Sequence, residues 1–413
     1  MAIASGIEKL VVLAIQTAQG TVAEAALATA RYMRRVTSSL DLAKETYQSN
    51  EIRPDRQIGD FRHGVQSIEG TLNGELSPET YELLMAAILR KDFVAGVSDA
   101  ANSNVASDAS GTLTRSDALG SWLEDGFKIG DIVRCTGFTA TANNDLNLMI
   151  TAVTDTVMTV LALNGSTLTT EAEGQAITTA VVGQKTWTPT TGHTENWFTL
   201  EHYFGDIDSS EVYYDVKPNS MAISLPATGM ATIDVGLMGL NHNYLDSGAS
   251  PYFSAVLDAT ETGIVAAVNG VITVEGTQIA LITSIDFDIA ANLTSEPVVG
   301  SNVKPDLFEG RVAVTGNMSV YFEDDTFRDY FEDETEVSIS CAFTTNNDDD
   351  ADFIAFSMPR VKMGGSTKDD GEKGIIQTMP FTALIDVNAG ADTGATATDT
   401  LETTLSIQDS TLS

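Results

Sequence analysis

The chain has 413 residues, 43% of them hydrophobic, and a formal charge of −36. That length predicts two or three domains with real cores, and that charge excludes tight nucleic-acid binding through a basic patch, because its far field repels phosphate. The spacing of the two cysteines, Cys135 and Cys341, implies neither a disulfide framework nor a metal site.

The charge is uneven: residues 191–413 carry a net −28, residues 1–95 only −2. At the start, "MAIASGIEKLVVLAIQ" holds an apolar run of only Leu10–Ile15, with Glu8 and Lys9 where a basic region would be needed. No secretion signal is expected, and no stretch approaches a membrane span. Synthesis in a cytoplasm follows as the expectation. Val36–Gln48 reads as a strand. It runs into the polar, proline-centred loop "SNEIRPDRQIGDFRHG" (Ser49–Gly64), where Arg53, Arg56 and Arg62 form a cationic cluster. Another strand follows in "HGVQSIEGTLNGEL". "SPETYELLMAAILRK" predicts a helix with Ser77 as N-cap, Pro78 at the first helical position and Arg90 and Lys91 at the end. Tyr81, Leu84, Met85, Ile88 and Leu89 would share its apolar face.

Residues 96–190 open with the small-residue tract "VSDAANSNVASDASG" and continue as alternating strands. They predict a small inserted β-barrel or sandwich, placed as an outward decoration that could be deleted without loss of assembly. "SMAISLPATGMATIDVGLMG" reads as a hairpin and residues 247–263 as a linker. "GVITVEGTQIALITSIDFDI" predicts a hairpin turning at Glu275–Gly276. A second proline-centred loop, "SNVKPDLFEGR" (Ser301–Arg311), leads to a strand in "RVAVTGNMSVYF" and a short helix in "EDDTFRDYFEDE". "VSISCAF" alternates as a strand, and "GGSTKDDGEKGIIQTMPFTALID" reads as a hairpin with a mobile tip. Residues 388–400 read as a flexible segment before a last strand in "LETTLSIQDS".

Strand, polar loop, strand, helix and hairpin thus occur twice in the same order. Two copies of this length make a tandem duplication rather than a solenoid. The expected fold is mainly β: two tandem domains, each with a short helix, plus the inserted module; the resemblance described below implies that each is a β-sandwich. The expected bounds are 1–95 with 191–246, the insert 96–190, the linker 247–263, and 264–413. Duplication explains the ancestry of the second loop. It does not explain why so polar a loop keeps Ser-Asn and Pro-Asp, and a docking arm for an identical neighbour does. The candidate contact residues are Ser49, Asn50, Arg53, Pro54, Asp55, Arg56 and Phe61, with Ser301, Asn302, Lys304, Pro305 and Asp306. The first loop has little to bury, so disorder before assembly is expected.

Catalytic and metal constellations do not emerge. The four histidines, at 63, 193, 202 and 242, are too widely spaced for a helical metal pair. "NNDDDADF" fails the calcium-loop pattern, which needs glycine and glutamate where Ala351 and Ser357 stand. "GGSTKDDGEKG" fails the phosphate-loop spacing. No cofactor and no enzymatic activity are expected.

The segments "RYMRRVTSSLDLAKETYQSNEIRPDRQIGDFRHGVQSIEGTLNGELSPETYELLMAAILRKDF", "SMAISLPATGMATIDVGLMG", "PVVGSNVKPDLFEGRVAVTGNMSVYFEDDTFRDYF" and "PRVKMGGSTKDDGEKGIIQTMPFTALI" closely resemble the tail tube proteins of long-tailed, non-contractile bacteriophages (siphophages). The resemblance spans both copies and skips the inserted module. It implies a β-sandwich core whose inner strands join those of siblings into one barrel around a channel. It implies rings that stack into a tube for the genome, with the long early loop reaching the adjacent ring. The partners it implies are other copies of the chain, the tape measure, terminator and distal tail proteins, and DNA passing without specific binding. The place it implies is the virion tail. Two tube domains per chain imply a trimeric, pseudo-six-fold ring. The alternatives are another ring-forming tail component or a glycan-binding surface protein.

Overall fold

In a computed structural model, residues 3–116, 120–246, 248–386 and 403–412 are described. The expected flexible segment 388–400 lies outside them. The fold is mainly β and antiparallel, as expected, with only two α-helices among the described residues.

Fifteen elements carry the architecture. In the first half they are β1 (Lys9–Ile15), β2 (Asp41–Gln48), β3 (Phe61–Glu75), α1 (Glu82–Leu89), β4 (Phe198–Phe204), β5 (Ser209–Pro226) and β6 (Thr232–Gly239). In the second they are β7 (Gly270–Val274), β8 (Ile282–Ala290), β9 (Ala313–Tyr321), α2 (Thr326–Glu332), β10 (Glu336–Thr344), β11 (Phe353–Met363), β12 (Ile376–Ala383) and β13 (Ser406–Asp409).

One layer is a continuous antiparallel sheet in the order β2–β3–β6–β5–β8–β9–β12–β11. Its middle junction joins the halves: Ser220–Pro226 of β5 pair with Ser284–Ala290 of β8. The strand order on the two sides of that junction is the same. Glycines mark equivalent places, with Gly70 opposite Leu237 and Gly316 opposite Phe381. In each half one long strand leaves this layer for a second one. β5 pairs with β4 through Val216 and with β6 from Lys217 onward; β11 pairs with β10 through Lys362 and with β12 at Val361–Met363. β1 borders β4, as β7 borders β10.

Alternation explains the packing. In β6, Ile233, Val235 and Leu237 are buried while Thr232, Asp234, Gly236 and Met238 stay partly exposed. One apolar core runs through both halves and includes Leu72, Ile233, Ile285, Met318 and Phe356. Strands β4, β10 and β11 of the second layer instead carry continuous buried runs, because both of their faces are covered.

The first helix begins later than predicted. Ser77 does not cap it; its hydroxyl pairs with that of Thr80, and helix starts at Glu82. Glu79 takes a left-handed conformation (φ 65°), and its N–H donates to the Asp409 carboxylate. A long-range contact therefore outcompetes the local capping signal. Arg90, itself left-handed, closes the helix. The hairpin turn at Glu275–Gly276 is as expected, with φ of 50° and 69° suiting the right-handed twist of its strands.

Residues 98–181 form a separate seven-stranded sheet with its own core around Trp122, Phe127 and Leu148. The strand Gln184–Trp187 lies outside it, between β13 and Val94–Ala95. The module does not simply face outward. Ile132, Met149 and Leu163 pack on Val271, Ala342, Phe353 and Ala355 of the second half. The Gln408 carboxamide links the two, accepting from Ile132 N and donating to Ile132 O and Val182 O. The module is thus packed on the second half, and removing it would bare an apolar face.

Candidate functional site

The continuous sheet has one face on the core and one face open. Cross-strand pairing places the open-face residues in rungs. One rung runs Glu75, Thr232, Ser224, Asp286, Asn317, Pro380; the next runs Asn73, Asp234, Ala222, Asp288, Thr315, Thr382. Asp41 and Glu69 pair directly beyond them. The rungs carry small, hydroxyl and acidic residues and no lysine or arginine, although Lys362 stands at one end opposite Thr382. At the junction of the halves this face is concave, forming an open groove of about 760 Å³. Partial burial there holds the Asp288 carboxyl above its usual range.

Among the described residues the sheet ends in two unpaired edges. On one side β2 pairs only with β3; on the other, residues 364–371 lie beside β12 alone, through Thr367–Lys368. Inside the chain, the equivalent strands β5 and β8 close on each other. Unpaired N–H and C=O groups along an edge are a template for another strand.

A family model described as phage tail tube protein matches residues 6–383. The chain belongs to the phage tail tube protein family. None of the curated proteins matches it. As a tail tube protein it is a structural component of the virion tail. No helix among the described residues is long and apolar enough to cross a membrane.

The two proline-centred loops of this tail tube protein behave differently. In the first, Ser49 N donates to Asp60 O at the base, and beyond it the chain is a protruding, exposed ribbon. Asn50, Pro54, Arg56 and Phe61 face solvent, and Ile52 is fully exposed. The expected cationic cluster is largely neutralised: Arg53 pairs with Asp55 and Arg62 with Asp60. Arg53 holds the Asp55 carboxyl below its usual range.

The second loop folds back on the first half of its own chain. Gln66 N donates to Asn302 O (2.8 Å), and the Gln19 amide donates to Pro305 O and the Asp306 carboxylate. Ser301 bonds locally to Val303, and Lys304 is half-buried. Glu309, two residues past the predicted phrase's buried Leu307, receives Arg90 (2.6 Å) and Lys217 (2.7 Å). Lys217 also meets Glu195 and lies 4.0 Å from the Trp197 ring centroid. Sequence reasoning missed Lys217, since its partners are far apart in the chain.

Among the described residues no cluster of His, Cys, Asp and Glu could hold a metal. "NNDDDADF" is clasped by the inserted module, with Arg134 and Asn147 donating to the Asp350 and Ala351 carbonyls. Cys135 and Cys341 are buried and free, and burial pushes their thiols up to about 11 and about 12.

Proposed function

We propose that this protein forms rings that stack into the hollow tail tube of a siphophage, the conduit for genome ejection. One observation carries the reading: the β5–β8 junction inside the chain joins two halves of like strand order, and the same two edges remain open at the ends of the sheet. Residues 364–371 correspond to 219–226, because Lys362 faces Thr382 as Lys217 faces Met238. Residues 37–43 correspond to 284–290, because Asp41 faces Glu69 as Asp288 faces Thr315. Copying the internal register puts Gly365 opposite Ala43, Thr367 opposite Asp41 and Asp369 opposite Ser39 of the next chain. Such a head-to-tail contact closes into a ring when its rotation divides a full turn.

Each chain supplies two tube domains, residues 1–95 with 191–246 and residues 264–413, so three chains complete a pseudo-six-fold ring. The concave acidic face becomes the channel wall. A basic wall would grip phosphates in a salt-dependent way; an acidic one lets DNA slide. The first loop, projecting from β2 and β3, is the arm toward the adjacent ring. The terminator, tape measure and distal tail proteins are the remaining partners.

Negative-stain microscopy of the purified protein at rising concentration tests this. Hollow cylinders are the expected result. Single rings would favour a terminator-like component, and dispersed monomers at high concentration would defeat the reading.

A further inference from the structure

The internal junction is held by more than its sheet. The linker before β7 adds a short backbone pairing to the first half. Val265 is fully buried, its N–H donating to Leu76 O (3.0 Å) and its carbonyl accepting from Ala231 N (3.1 Å). Just upstream, Thr262 donates to Pro78 O and Thr260 meets the Thr80 hydroxyl, beside the start of α1.

The segment before β1 repeats this linker. Lys9 faces Phe204 as Gly270 faces Phe343. The turn ahead of each strand is the same: Glu8 N donates to Ser5 O, and Asn269 N to Ala266 O, both at 3.1 Å. Counting back, Ile3-Ala4-Ser5-Gly6-Ile7 corresponds to Ile264-Val265-Ala266-Ala267-Val268. Val265 has a host. Its counterpart Ala4 does not and is exposed, as is Ile3 (90%), whose counterpart Ile264 is half-buried, whereas Ile7 is exposed like its own counterpart Val268 (83%).

The matching host stands empty on the second half. Phe322 follows β9 as Leu76 follows β3, and Phe322 N donates to Ile375 O (2.9 Å) as Leu76 N does to Ala231 O (2.9 Å). Asp324 and Thr326, the counterparts of Pro78 and Thr80, line an open pocket of about 610 Å³ with Phe327 and Tyr330. α1 buries Leu84, Met85, Ala86, Ile88 and Leu89, whereas α2 buries none of its residues. The first helix packs on β5 and on the strand Gln184–Trp187, and the second on β11.

We propose that residues Ile3–Ile7 of one copy dock on the second half of the neighbouring copy, across the mouth of the α2 pocket. Ala4 then takes the place of Val265, donating to Phe322 O and accepting from Ile375 N. This rests on the ring reading and names a second latch for each contact between chains. Backbone pairing supplies its direction, and covering Phe327 and Tyr330 supplies apolar burial.

The test is a cysteine pair, Ala4→Cys with Ile375→Cys, in the full chain, whose own two thiols are buried. Oxidised cylinders should give a ladder of covalently joined chains on a non-reducing gel, ending at a trimer, and neither single variant should. In the unmodified protein, amide exchange at residues 3–7 should slow on assembly. Cylinders with no ladder, or with unchanged exchange at residues 3–7, would overturn the latch and leave the ring standing. Absence of cylinders would remove both.

Discussion

Gly70 and Gly316 show how tightly single positions are specified. A Cβ on Gly70 would sit 2.4 Å from the Leu40 Cα, and one on Gly316 would sit 2.5 Å from the Asp286 carbonyl oxygen. Both obstacles are backbone atoms, Leu40 just ahead of β2 and Asp286 within β8, so neither can swing aside. Gly70→Ala and Gly316→Ala should each destabilise the fold by about 1–3 kcal/mol through overpacking. Thermal unfolding measures it; an unchanged midpoint for both would contradict the crowding. These glycines are legible in "SIEGT" and "AVTGN", where each interrupts an alternating strand at the same offset. Glu79 is not legible. Nothing near it predicts a left-handed backbone, because the carboxylate that captures its N–H is 330 residues away.

At the scale of elements, period-two patterns located most strands, and the tandem order of strand, loop, strand, helix and hairpin was readable before any coordinates. What an element rests on was not readable. The inserted module shows why: Ile132, Met149 and Leu163 look like ordinary core residues of a small sheet, yet they face Val271, Phe353 and Ala355 of the second half. A single sequence carries no mark of which apolar face meets which. The module enters and leaves at one point, where Val181 N donates to Val97 O (2.9 Å), so residues 98–181 can be replaced by a short glycine link. That deletion should raise binding of a hydrophobic dye and lower solubility relative to the intact chain, since it uncovers a contiguous apolar patch. Unchanged dye binding and solubility would restore the view of the module as a removable ornament. The two loops make the same point. Their wording is shared, but only the contacts reveal that one is folded onto Gln19 and Gln66 while the other stands free.

For the whole molecule, charge is the property with the clearest consequence. If the concave face lines the channel, assembled wild-type protein should not retain duplex DNA. Replacing Asp41, Glu69, Asp286 and Asp288 by lysine should create retention that fades steeply as salt rises, because each neutralised phosphate releases counterions. Co-sedimentation of DNA with the cylinders measures this, and wild-type cylinders that held DNA would rule out the acidic wall.

The covalent β5–β8 junction has one more effect. In the proposed ring, every second seam would lie within one chain, so only alternate seams would depend on encounters between chains, and closure would need half as many of them. The two repeats have also diverged: one bears the large insert and the free ribbon, the other the folded-back loop. A ring of three such chains would look the same only after a third of a turn. Successive layers of such rings would therefore settle in fewer equivalent orientations than a true hexamer would allow, a restriction set by that single peptide connection.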